Sequence, residues 1–293
     1  MALSFANQVV VVTGAAGGLG EAYARAYADR DASLLLNDVP SSGVHELATE
    51  LGAVAETSSV ATPEGGEAIV RAAFDAFGRL DVLVNNAGIA RPNFLDDLRW
   101  SDLAETLSVH LLGAFHTTRA AWQALASQGG GCVVNTTSAV GFFGQPRSSG
   151  YAAAKLGVVG MTRVLALEGE PLGIRVNAIA PVARSPMAGP VYGPLTPKLD
   201  PALVASVVLA LSHPSCPLTG EIVSAGGGRL ARLVLGATEG LFAENLDAEQ
   251  AASYLADGFS TAEVVTPASA MDEIDLIRRR YPELTEPMRY SAT

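Results

Sequence analysis

The chain has 293 residues, 49% of them hydrophobic and 17% charged. That is the make-up of a folded globular protein with a large core, and it excludes an intrinsically disordered chain. A formal net charge of -11 with no basic stripe excludes nucleic acid and anionic membrane as natural partners.

In chain order, the N-terminal MALSFANQVVVVTG runs straight into an apolar strand at 8–13, with neither a basic region nor a cleavage site of a leader. Short β-branched runs then alternate with helical patterns. Strands are predicted near 33–37, 53–57, 81–84, 131–136, 174–179 and 221–224. Helices are predicted near 18–30, 42–51, 63–77, 100–127, 151–168 and 200–212. Several strands are apolar without alternation, as when helices cover both faces of a parallel sheet. The fold class is therefore α/β, a doubly wound parallel sheet of about seven strands over residues 1–228. Residues 181–201 are proline-rich and follow a strand's carboxyl end, where such sheets bind ligands. After Gly226–Gly228 the composition changes, and 229–293 reads as a C-terminal helical extension, a lid or an oligomer contact.

No apolar run approaches the ~18 residues that span a bilayer. Cys132 and Cys216 have no CxxC neighbour and read as free thiols of a reducing compartment. The C-terminal Ser-Ala-Thr is not a peroxisomal address, and a cytoplasmic location is expected. The four histidines show no metal spacing, so no metal is expected.

Three motifs carry chemistry. The first is TGAAGGLG, Thr13 to Gly20, after a strand and opening a helix. Gly14 allows the turn, while Gly18 and Gly20 let backbone approach a pyrophosphate at the helix N-terminus. The second is Asp38, at the end of the next strand, placed to accept from ribose hydroxyls and to repel a 2′-phosphate. This favours NAD over NADP. The third is Tyr151 and Lys155, four apart on one helix face, with Ser138 thirteen residues earlier. Alone, the pair is either a snorkelling surface pair or a phenol beside an ammonium built for proton transfer.

Together TGAAGGLG, NNAG (Asn85 to Gly88), the serine thirteen residues before YxxxK and VNAIAP resemble the short-chain dehydrogenase/reductase family over residues 6 to 228. The resemblance implies a Rossmann-type, NAD(P)-binding catalytic domain. It implies Tyr151 as acid/base, Lys155 as the cation that favours phenolate and holds the nicotinamide ribose, and Ser138 as the group that hydrogen-bonds the substrate oxygen. It further implies cofactor contacts from Gly14, Gly18, Leu19, Gly20, Asp38, Ser59, Val60, Asn86, Ala87, Gly88, Pro181 and Ser185, besides Tyr151 and Lys155. The sequence departs from the family pattern at three places. His110, in SVHLLGAF, stands where an asparagine of a proton relay is common, and it is either a relay group or a structural histidine. Ala154 replaces a frequent serine. In ETSSVATP, Ser58 or Ser59 stands where an acidic residue commonly meets adenine.

Within the family, LNDV, VHLLGAF, TRAAW, YAAAKLG, NAIAP and LSHPSC are similar to the (3R)-hydroxyacyl-CoA dehydrogenase units of peroxisomal multifunctional enzymes. The implied activity interconverts a hydrophobic secondary alcohol, a 3-hydroxyacyl thioester or a steroid-like one, and its ketone. The pocket is expected between Ile89–Leu95, Val140–Gln145 and Val182–Tyr192. Arg91, Arg147 and Arg184 are either contacts for a CoA phosphate or solvated surface charges. An NADPH-dependent biosynthetic ketoreductase and a non-catalytic nucleotide sensor are the alternatives. The resemblance implies association through helices 100–127 and 151–168, whose alanine-rich faces allow close approach, so a homotetramer or homodimer is expected, which light scattering would test.

Overall fold

The computed structural model describes residues 3–185, 189–238, 240, 242–243, 245–257 and 264–279. Strand β1 (Val9–Thr13) is buried throughout. Because side chains alternate along a strand, Val10 and Val12 enter one hydrophobic layer while Val9 and Val11 enter the other. Each such side chain, fully buried, contributes about 1.5–3 kcal/mol. The same division repeats in β2 (Ser33–Asn37), β4 (Val82–Asn85) and β5 (Gly131–Thr136).

With β3 (Val54–Glu56), β6 (Ile174–Pro181), β7 (Ile222–Gly226) and β8 (Arg229–Leu233), these strands form one sheet in the order β3-β2-β1-β4-β5-β6-β7-β8. All neighbours are parallel except β7 and β8. On one face α1 (Gly18–Ala28), α2 (Val44–Leu51) and α8 (Pro201–Ser212) bury Tyr23, Tyr27, Leu47, Val204 and Val208. On the other, α3 (Pro63–Phe77), α5 (Gly113–Ser127) and α7 (Ser149–Gly169) bury Ile69, Val70, Leu125 and Ala166. The direction of strand order reverses between β1 and β4, so the loops after these two strands frame the ligand crevice.

Four local features differ from the expectation. The sheet has eight strands, because Gly227 and Gly228, both with positive φ (57° and 81°), turn a hairpin instead of opening a linker. β8 is an exposed edge strand, and the boundary between compact units falls after Leu233 instead of Gly228. The helix expected over 100–127 is interrupted: α4 (Trp100–Leu107) passes into α5 through a π-helical turn, Ser108–Leu112. A short helix, α6 (Ala139–Phe143), is capped by Ser138 and precedes α7. The second unit, taken by itself, holds β9 (Ala237–Thr238) paired antiparallel with β10 (Val264–Val265), and helices α9 (Ala248–Asp257) and α10 (Ala270–Arg278).

Candidate active site

The loop between β1 and α1 shows why glycine is required in it. Gly14 has φ 63°, and a Cβ there would meet the Ala87 Cα at 2.7 Å. A Cβ on Gly20 would lie 1.9 Å from the Gly14 carbonyl oxygen, so α1 leaves the strand with no room for a side chain. Gly17, the N-cap residue, faces open space, and no side chain caps the helix. Uncapped N–H groups opening onto space at a glycine turn fit a diphosphate. Thr13 ties this loop to the one after β4: its Oγ1 accepts from Asn86 N–H at 3.0 Å and Ala87 N–H at 3.1 Å. Asn86 Nδ2 donates back to the carbonyls of Thr13 and Gly14, both at 3.0 Å.

Asp38 follows β2 beside this loop. One carboxylate oxygen accepts from Ala16 N–H at 2.8 Å, the other from Val39 N–H at 2.7 Å. A fixed, partly buried carboxylate at the edge of the glycine loop fits a ribose diol. Gly18 and Ser185 line one open cavity of about 730 Å³. Leu19 packs onto the core, Pro181 ends β6, and Asn86 to Gly88 form the loop after β4. Ser59 is exposed, and its Oγ accepts from Ala61 N–H. Val60 is turned inward: its side chain fills the space left by Gly113, and its carbonyl meets His116 Nδ1 at 3.0 Å.

Tyr151 and Lys155 lie in the first two turns of α7, and Ser138 sits just past β5. The Ser138 hydroxyl hydrogen-bonds to the Tyr151 phenol and opposes the larger effect of burial, which raises the phenol above its usual value. Lys155 is buried, and desolvation lowers its ammonium to about 7. Its Nζ donates to the Thr136 carbonyl at 2.6 Å and lies 5.8 Å from the Tyr151 ring centroid. Burial opposes both charges, and the ammonium is aimed at the Thr136 carbonyl. The phenol is protonated at neutral pH. Tyr192, from the proline-rich segment, is close enough to raise the Tyr151 phenol further. Of the expected wall Val182–Tyr192, residues 186–188 lie outside the described residues.

The π turn brings His110 against Tyr151, ring centroids 5.0 Å apart and planes at 90°. Its Nε2 lies 2.7 Å from the Ile89 carbonyl and 3.1 Å from Ile89 N–H. Either tautomer leaves Nδ1 buried with no partner among the described residues. Burial, then the nearby Lys155, lowers the imidazole to about 3, so it is neutral at working pH. The unfolded chain, with His110 near its usual 6.5, takes a proton that the folded chain refuses. Stability contributed by this group is therefore present above pH 6.5 and lost as pH falls toward 3, at ~1.4 kcal/mol per pH unit. Melts between pH 7 and about pH 4 are expected to show a shallower acid slope, by about one proton, in His110→Asn. Parallel slopes would refute it.

Below the site runs a buried polar network. Asn85 and Asn135 occupy the same register of β4 and β5. Asn85 Nδ2 donates to Asn135 Oδ1 and Thr118 Oγ1, both at 2.9 Å, and Asn85 Oδ1 accepts from Thr117 at 2.6 Å. Asn135 Nδ2 donates to Thr162 at 3.0 Å, joining the network to α7. The available signal was an asparagine in each of two otherwise apolar strands, VLVN and CVVN, since buried amides need partners.

A family model described as short chain dehydrogenase matches residues 8–191. The chain is 41% identical over 246 residues to the peroxisomal multifunctional enzyme type 2 of Mus musculus, covering 79% of this chain and 33% of that protein. It therefore spans about a third of that relative's length. Among solved structures, a short chain dehydrogenase from Mycobacterium avium superposes with TM-score 0.78 and 31% identity, over 86% of this chain and 94% of that one. A 3-ketoacyl-(acyl-carrier-protein) reductase from Brucella melitensis complexed with NADH gives TM-score 0.73 and 28% identity, over 77% of this chain and 99% of that one.

Proposed function

The chain belongs to the short-chain dehydrogenase family and is an oxidoreductase acting on CH–OH groups, and from that premise we propose that it interconverts a 3-hydroxyacyl thioester, or a similarly hydrophobic secondary alcohol, and its ketone with NAD. The carrying observation is the cluster of Ser138, a protonated Tyr151 and a buried Lys155 at the carboxyl end of β5, with the Asp38 carboxylate pinned beside the glycine loop.

The glycine loop, Asp38 and Lys155 would hold a reduced nicotinamide cofactor, which would supply the hydride for the carbonyl carbon. The chain does the rest. Ser138 holds the substrate oxygen by donating its hydroxyl proton, and Tyr151 gives the phenol proton to that oxygen as the C=O π bond breaks. Lys155, tied to Thr136, would hold the nicotinamide ribose and return a proton to the phenolate. Asp38 would hold the adenosine ribose and repel a 2′-phosphate. Support for an acyl substrate comes from the Brucella relative's name and from the apolar loops after β4 and β5, where Phe94 and Phe143 are exposed. Phe115, Leu156, Val164 and Leu167, exposed on α5 and α7, support association of copies through these helices.

Oxidation of NADH and of NADPH, side by side, with acetoacetyl-CoA tests this reading. Turnover with NADH and at least tenfold less with NADPH is expected. Turnover with NADPH alone would move the enzyme to biosynthetic ketone reduction, and no turnover despite NADH binding would discard the thioester.

A further inference from the structure

Arg91, Arg147 and Arg184 stand on the segments that follow β4, β5 and β6, at the catalytic edge of the sheet. Their charges are engaged differently. Glu105 holds Arg91 bidentate at 2.9 and 3.1 Å, and Arg184 faces Asp200 at 3.7 Å. Arg147 makes no ion pair among the described residues. Its guanidinium lies over the Phe94 ring, 5.7 Å from the centroid, and donates to the Pro92 carbonyl at 3.4 Å.

Other features mark this as a built arrangement. The Arg147 backbone has φ 68°, a left-handed conformation that a non-glycine residue holds only when its surroundings enforce it. Its carbonyl accepts from Asn93 N–H at 3.0 Å, so backbone and side chain both clamp the loop after β4 to the segment that starts α7. Phe94 is 55% exposed and Phe143 75%, one on each of the segments so joined. An exposed guanidinium fork, oriented by an aromatic face, suits a phosphate better than any other common ligand group.

We propose that Arg147, seated on Phe94, docks the phosphate-bearing carrier of a thioester substrate, while the acyl group lies along the apolar rim and reaches Ser138 and Tyr151. This rests on the reading of the site as one that reduces a 3-ketoacyl thioester. Arg147 precedes Tyr151 by four residues, at most about 14 Å between Cα atoms, a span that an extended pantetheine arm covers.

The test compares acetoacetyl-CoA, acetoacetyl-phosphopantetheine and acetoacetyl-pantetheine with NADH, in the full chain and in Arg147→Asn. Asparagine tolerates the left-handed backbone, so the clamp through Asn93 is kept. Loss of a charge-assisted phosphate contact is expected to raise KM for the CoA thioester about tenfold or more, and to move KM for the unphosphorylated pantetheine thioester less than about twofold. The rise of the CoA KM with added salt should flatten in the variant. An effect shared by phosphopantetheine places the arginine on the 4′-phosphate, and an effect with CoA alone places it on the nucleotide phosphates; both support the docking role. Equal changes for CoA and pantetheine, or none for CoA, overturn the proposal and leave the thioester reading standing. A wild-type enzyme that turns over none of the three overturns both.

Discussion

Tyr151→Phe is expected to lower kcat by about 10²- to 10⁴-fold, the range that positioned acid–base catalysis supplies. Phenylalanine keeps the ring that His110 meets edge-on, and it removes only the hydroxyl that Ser138 contacts. Melting temperature and NADH affinity should therefore stay near wild type, as measured by thermal denaturation and quenching of protein fluorescence. Because burial holds the phenol protonated at neutral pH, ketone reduction in the wild type should be favoured there and alcohol oxidation should accelerate as pH rises. A near-normal rate in the variant would shift proton transfer to Lys155, whose ammonium sits at about 7.

Asp38→Asn is expected to reduce the preference for NADH over NADPH at least tenfold, measured as the ratio of the two kcat/KM values. Two effects act in the same direction. A neutral amide holds the ribose hydroxyls less strongly than a carboxylate does, because charge-assisted hydrogen bonds are about twice as strong as neutral ones. The repulsion of a 2′-phosphate also disappears, and a unit charge pair at 4 Å is worth about 1 kcal/mol in water and about 4 near a protein surface. The amide oxygen still accepts from one backbone N–H, so a modest loss of stability is expected, since Asp38 ties both Ala16 and Val39. An unchanged ratio would mean that Asp38 serves only to brace the glycine loop.

The central sheet was readable because its information is local. Runs such as VVVVT and SLLLN carry strand character in themselves, and every predicted strand and helix of the first 226 residues has its counterpart. What was misread depends on partners far away in sequence. RLARL in β8 is only five residues with two arginines, and it becomes a strand because the Gly227–Gly228 turn lays it against β7. The π turn inside the helix after β4 leaves no mark on the apolar pattern, since it inserts a local change of pitch without changing composition.

The candidate groups follow from short-range rules of the chain. Helical periodicity sets Tyr151 and Lys155 on one face, and the steric demand of a tight strand-to-helix turn is written as Gly14 and Gly20. Their electrical state follows from what the fold packs around them. Burial sends the Lys155 ammonium to the Thr136 carbonyl and lowers it to about 7, raises the Tyr151 phenol, and leaves His110 neutral against its ring. Sheet register sets Asn85 against Asn135, and the backbone bond between Asn93 and Arg147 sets the guanidinium over Phe94. The physical reason is one of range. Spacing along a helix or within a turn follows from the chain's own geometry, whereas desolvation and hydrogen-bond partners belong to whatever the fold brings alongside.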